Sequence, residues 1–271
     1  MQKYTLTQLY IYPIKSLGGI RVQEAVVEKR GLQYDRRWML VDEKGHFLSQ
    51  RQHAGMALLQ VELKPEGLLV SHKDGQLNPL LVPYQANDEK SLLVTIWNDV
   101  CFAFEVTPEA NKWFTEALGM NCKLVYMPDH AMRPVDPEYG RPRDLVSFAD
   151  AYPFLIIGEE SLNDLNARLE QPVPMDRFRP NLVFSGGDAF DEDTWAQFTI
   201  GETIFYPVKP CARCVVTTID QQTGKAAAEP LRTLATYRTQ NNKVLFGQNL
   251  VHTGIGNTLQ VGQELSVTDY L

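Results

Sequence analysis

The segment Lys209-Pro210-Cys211-Ala212-Arg213-Cys214 sets two thiols three residues apart, with a lysine and an arginine beside them. Neighbouring cations favour thiolate, the form of cysteine that attacks disulfides or binds a soft metal. A redox Cys-x-x-Cys normally opens a helix, yet Val215-Val216-Thr217-Thr218-Ile219 is β-branched and predicts a strand running from Cys214 to Asp220. Structural zinc needs a second ligand pair, and Cys101 and Cys122 do not have that spacing. A pair of ordinary half-buried thiols stays open beside the reactive reading.

Other groups suited to an anion are scattered along the chain. Lys15-Ser16 follows the strand-like Ile11 to Ile14, and Asp35-Arg36-Arg37 precedes a strand led by Trp38. Asp176-Arg177-Phe178-Arg179-Pro180-Asn181 crowds two guanidiniums, a carboxylate and an amide together, the groups that would grip a heterocycle with a phosphate tail. Solvation at strand ends and an Arg–Asp loop brace are the plainer alternatives. In Phe246-Gly247-Gln248-Asn249 the glycine permits close backbone approach to a ligand, and Gly186-Gly187-Asp188 is a turn that could expose a carboxylate. His46, His53, His72, His130 and His252 share no metal-ligand spacing and are expected at the surface.

These groups need a scaffold, and the chain reads as mostly β with a few helices (α+β), in two β-barrel-like domains covering 1–127 and 128–271. Strand-like runs fall at 6–12, 22–29, 38–42, 47–50, 57–63, 67–71, 92–97, 101–106 and 122–127, and again at 153–157, 181–185, 197–200, 203–208, 243–250 and 258–267. Thr107 as N-cap, Pro108 at the first helical position and Gly119 as stop predict a helix, and Leu162, Leu165 and Leu169 lie on one face of a second over 159–169. Between Pro128 and Arg143 the periodicity lapses in a proline- and arginine-rich stretch, which reads as a loop over an anion site or as a solvated linker.

With 26 basic against 33 acidic residues the net charge is −7, which argues against nucleic-acid binding. Neither a signal peptide nor an apolar run long enough to span a bilayer is evident. A cytoplasmic protein with reduced cysteines is therefore expected.

Several motifs in order give a resemblance to a family. Tyr12-Pro13-Ile14-Lys15-Ser16, Asp35-Arg36-Arg37-Trp38, Arg51-Gln52, Pro153-Phe154-Leu155-Ile156, Ser161-Leu162-Asn163-Asp164-Leu165-Asn166, Phe178-Arg179-Pro180-Asn181, Cys211-Ala212-Arg213-Cys214, Glu229-Pro230-Leu231-Arg232 and Phe246-Gly247-Gln248 together resemble MOSC-domain proteins carrying a MOSC N-terminal β-barrel domain, the core of the amidoxime-reducing components. The resemblance implies a molybdenum cofactor, molybdenum held by a pyranopterin dithiolene, with Cys214 as the protein's sulfur ligand to the metal. It implies cofactor contacts from Lys15, Ser16, Arg36, Arg179, Asn181, Thr217 and Gln248, and a proton-delivery role for Asp188.

The implied activity is that of an oxidoreductase that reduces small N-hydroxylated compounds (amidoximes, hydroxylamines, N-hydroxylated bases) to amines or amidines. No cysteine follows Cys214, so no iron–sulfur cluster can be ligated after it, and a separate flavoprotein, ferredoxin or haem carrier is expected to supply electrons. The alternative is a sulfur-carrier or cofactor-sulfuration module in which Cys211 or Cys214 bears a persulfide.

Overall fold

Seven strands close into a barrel whose first member comes from the start of the chain. In the computed structural model, which describes residues 3–75, 77–85 and 90–271, Phe154–Gly158 runs parallel to Leu182–Ser185, which pairs with Tyr4–Ile11. The ring continues through Glu264–Tyr270, Trp195–Ile200, Thr203–Ala212 and Lys243–His252, and closes where Lys243–His252 pairs back onto Phe154–Gly158. Leu6, Leu9, Phe154, Phe184, Trp195, Phe198, Phe205 and Leu250 fill its interior. The three-residue step from Leu6 to Leu9 breaks the strand period of two because the register shifts at a bulge between Leu6 and Gln8. A division of the chain at 127/128 therefore leaves one strand of the first segment completing the barrel of the second.

The rest of the first segment forms a half-barrel. Four antiparallel strands lie in the order Trp38–Val41, Lys123–Tyr126, Asp99–Glu105, Ser91–Ile96, beside a meander of Leu59–Lys64, Gly67–His72 and Leu80–Pro83. Trp38, Leu40, Leu68, Val70 and Leu124 share one core with Phe114 of helix Pro108–Leu118. That helix is capped as the sequence predicts: Thr107 Oγ1 accepts from the Ala110 N–H (3.1 Å), and Gly119 stops it at φ 65°. Cys101 and Cys122 are core thiols whose burial pushes their pKa values up. Three α-helices occur among the described residues, and none is long and apolar enough to cross a membrane.

Several expectations are revised. Val215–Thr218 is a 3-10 turn and not a strand: the Thr217 and Thr218 hydroxyls donate to the carbonyls of Cys214 (3.0 Å) and Val215 (2.7 Å), local bonds that outcompete a β ladder. Residues 47–50 keep only a bridge from Phe47 to Val41, the 258–267 run breaks into Thr258–Gln260 and Glu264–Tyr270, and Leu231–Tyr237 is a helix the pattern does not announce. His252 is buried at 7% exposure against Phe154 (ring centroids 5.0 Å apart), and burial pulls its pKa down to about 4. In the 128–143 stretch Arg133 donates to the Ser147, Ala149 and Asp150 carbonyls and Arg141 to Asp144 and the His252 carbonyl, so both arginines brace protein and hold no free anion.

One buried carboxylate tunes stability. Glu192 has no exposed surface, accepts from Ser161 Oγ (2.9 Å) and the Gly158 N–H (3.2 Å), and is pushed up to about 7 by burial and then by neighbouring Asp193. The folded state then binds this proton more tightly than the unfolded state, so stability falls as pH rises from the ordinary 4.5 through about 7. The shift corresponds to roughly 3 kcal/mol. Urea unfolding of wild type and Glu192→Gln at pH 4.5 and 8 is expected to show that difference narrowing in the variant; an unchanged slope would move the titration elsewhere.

Candidate functional site

Lys15, Ser16, Arg36, Arg179, Asn181, Cys214 and Thr217, seven of the residues singled out from sequence, line one cleft of about 160 Å³ where the two halves of the chain meet. Arg51, Asp150, Tyr152, Cys211, Arg213 and Asn249 complete much of its wall. Five cationic side chains face one lining carboxylate, in a protein of net charge −7. Such a concentration favours an anionic ligand.

The basic floor is built on Tyr12. Its ring is 1% exposed, its hydroxyl donates to the Pro180 carbonyl (3.1 Å), and the guanidiniums of Arg36 and Arg179 each lie 4.2 Å from its centroid. A Cβ at Gly19 would come within 2.3 Å of the same ring, so only glycine lets the chain pass there. Arg36 donates to Asp35 (2.7 Å), Asn181 Oδ1 (3.2 Å) and the Arg179 carbonyl (3.2 Å), while Arg179 donates to the Leu17 carbonyl (2.8 Å). Burial, with Arg36 alongside, pulls Arg179 down to about 10. Ser16, Arg36 and Arg179 all hold left-handed backbone, at φ 68°, 49° and 54°. Conformations of this kind in non-glycine residues cluster at ligand sites, where surrounding structure over-determines them.

Asp150 is the hub of the cleft mouth. It accepts from Lys15 Nζ (2.6 Å), Arg51 (3.0 Å) and the Trp97 indole N–H (3.3 Å). Desolvation would raise its pKa, but Lys15 and Arg51 outweigh it and hold the carboxyl well below the usual range. Lys15, which also donates to the Phe148 carbonyl (2.8 Å), is pulled down to about 8 by burial.

The two thiols have different partners. Cys214 caps the 3-10 turn in extended backbone and lines the cleft together with Arg51. Cys211 accepts from Arg213 Nη1 (2.9 Å), whose Nη2 donates to the Phe178 carbonyl (2.6 Å) and whose Nε is buried with no partner. Arg177 ties the turn after Cys214 in place through Asp220 (2.6 Å). All four cysteines are free.

Two expected residues lie elsewhere. Gln248 is buried and donates to Asp193 (2.7 Å), while its neighbour Asn249 lines the cleft; on a strand, adjacent side chains point to opposite faces. Gly247 beside them is required, since a Cβ there would sit 2.7 Å from the Ile156 carbonyl oxygen. Asp188 is exposed outside the cleft, because Gly186 and Gly187, at φ 96° and 81°, turn it toward the Asp191 side chain, which accepts its N–H (2.9 Å). Arg51 had a signal in the Arg51-Gln52 pair, but Asp150 and Trp97 had none.

Comparison with known proteins places the chain in a family. Residues 3–121 match the MOSC N-terminal beta barrel domain and residues 143–266 the MOSC domain. Mitochondrial amidoxime-reducing component 1 of Mus musculus is 35% identical, over 90% of this chain and 75% of that protein, and its Homo sapiens counterpart is 34% identical over 95% and 81%. Molybdenum cofactor sulfurase of Oryza sativa subsp. japonica is 32% identical over 96% of this chain, which spans only 35% of that protein. With both domain signatures in order and the identity running almost end to end, the chain belongs to the family that joins a MOSC N-terminal beta barrel domain to a MOSC domain.

Proposed function

We propose that this protein is a molybdenum-cofactor-dependent reductase of N-hydroxylated compounds, fed by a separate electron-transfer protein in a cytoplasmic setting. The observation that carries the reading is the cleft itself, lined by the Cys214 thiol, Arg51 and the paired guanidiniums of Arg36 and Arg179. The donor set fits a sulfur-ligated, phosphate-bearing cofactor. Arg36, Arg179, Ser16 and Lys15 would hold its anionic end, Asn181 and Thr217 would contact its polar edges, and the unpartnered Arg213 Nε is a donor awaiting an acceptor. Cys214 would supply the soft protein ligand.

When bound, the cofactor supplies a two-electron centre for removing oxygen from nitrogen. An amidoxime takes two electrons and two protons to give an amidine and water. The chain's part is to hold the substrate at the mouth and keep protons at hand. Lys15 Nζ, near 8, carries its proton at neutral pH within 2.6 Å of Asp150.

Protein expressed in a molybdenum-competent host is expected to contain near-stoichiometric molybdenum and pterin, and to reduce benzamidoxime with a reduced dye. Loaded protein that turns over no N-hydroxylated compound would reject the reductase. Metal-free protein carrying a cyanide-labile sulfur would favour the sulfur-carrier reading, to which the cofactor sulfurase relative gives some support.

A further inference from the structure

Trp97 holds a place that packing alone does not explain. It stands at the tip of the Ser91–Ile96 and Asp99–Glu105 hairpin, where Asp99 faces Ile96 and only Trp97 and Asn98 make the turn. Its φ is 55°, a conformation usual for glycine or asparagine and costly for a bulky aromatic residue. It is 45% exposed, whereas Trp38 and Trp195 are buried.

The hairpin tip is pinned against Arg51 and Asp150 of the cleft lining. Asp99 accepts from Arg133 Nε (2.8 Å), and Arg133 donates on to the Ala149 and Asp150 carbonyls. The indole N–H donates to Asp150, the ring packs at 4.9 Å against Phe47, and the Arg51 guanidinium lies 4.5 Å from its centroid. Arg51 lines the cleft together with Cys214, so the indole packs on a side chain of the cleft wall. Val215, next to Cys214, is 51% exposed and adds apolar surface to the turn that carries the thiol. The indole is held in one orientation by three neighbours and still keeps nearly half of its surface open, which leaves a fixed π face available to a ligand.

We propose that Trp97 is a specificity-determining residue, a platform on which a planar, π-conjugated N-hydroxylated substrate stacks while its N–OH end enters the cleft beside Cys214. This rests on the reductase reading. Aryl amidoximes and N-hydroxylated bases present such a face, and simple alkyl amidoximes lack the aromatic part.

The test compares benzamidoxime with acetamidoxime on wild type, Trp97→Leu and Trp97→Phe, with dissociation constants from calorimetry and kcat and KM read separately. Trp97→Leu is expected to weaken benzamidoxime binding and raise its KM about five- to tenfold, the range of one lost aromatic contact, with kcat nearly unchanged. Acetamidoxime, which shares only the loss of the indole bond to Asp150, should change by no more than about twofold, and Trp97→Phe, which loses the same bond but keeps a π face, should stay within about threefold of wild type for both compounds. Equal losses for both compounds would make Trp97 a brace, and no change for either would remove it from recognition; both outcomes overturn the proposal, as does a wild type that binds neither compound. Binding of benzamidoxime without turnover in molybdenum-loaded protein would sink the reductase reading while leaving the calorimetric comparison decisive for Trp97.

Discussion

Cys214→Ser is expected to yield folded protein with no measurable reductase turnover, whereas Cys211→Ser keeps turnover within about tenfold of wild type, the scale on which groups behind a metal ligand act. The inequality follows from the partners of the two thiols. Both thiols are half buried and line the cleft, but Cys214, on an extended cap residue, has no hydrogen-bond donor on its sulfur among the described residues. Cys211 is engaged by Arg213, which the Phe178 carbonyl anchors in turn. A serine oxygen at 214 is too hard a ligand to replace sulfur on a soft-ligated metal. Elemental analysis beside turnover of benzamidoxime reads the result. Equal loss in the two variants would mean that the thiols work as a pair, and would end the single-ligand assignment.

What the sequence discloses divides along the range of the interactions. Helix Pro108–Leu118 is legible because its cap, first-turn proline and stop glycine are all local. Gln248 and Asn249 are legible as a pair, but choosing between them needs strand parity, and the lattice of the barrel sets that parity from residues far away. The strand expected after Cys214 fails for a local reason, two threonine hydroxyls bonding three residues back, that β propensity does not weigh. Asp150 is invisible because its role is made by residues 135, 99 and 53 positions away. Nor does any residue type announce the left-handed backbone of Ser16, Arg36 and Arg179, which only the closed fold imposes. The resemblance to MOSC proteins bridges part of that gap by naming positions whose geometry the residues alone do not reveal.

Arg179 carries the second large effect. Two guanidiniums share the Tyr12 ring, with the Asp35 carboxylate bonded to one of them, and burial has already pulled Arg179 down to about 10. Without an anion the pair is a site of repulsion; with one it becomes a fork for phosphate. Inorganic phosphate is therefore expected to raise the unfolding temperature of cofactor-free wild type beyond what chloride does at equal ionic strength. At a hundred times its dissociation constant the gain is about 2.7 kcal/mol, or roughly 5 to 10 °C for a chain of this size.

Arg179→Met should abolish that phosphate response and leave the protein unable to retain cofactor. The variant keeps a non-glycine residue at φ 54°, so backbone strain is matched and the charge is what changes. It loses the bond to the Leu17 carbonyl but relieves the repulsion with Arg36, so its stability without phosphate should stay within about 1 to 2 kcal/mol of wild type. Arg179→Lys, which keeps the charge without the planar fork, should respond in part. A methionine variant as responsive to phosphate as wild type would place the anion elsewhere, and would remove Arg179 from the cofactor's grip.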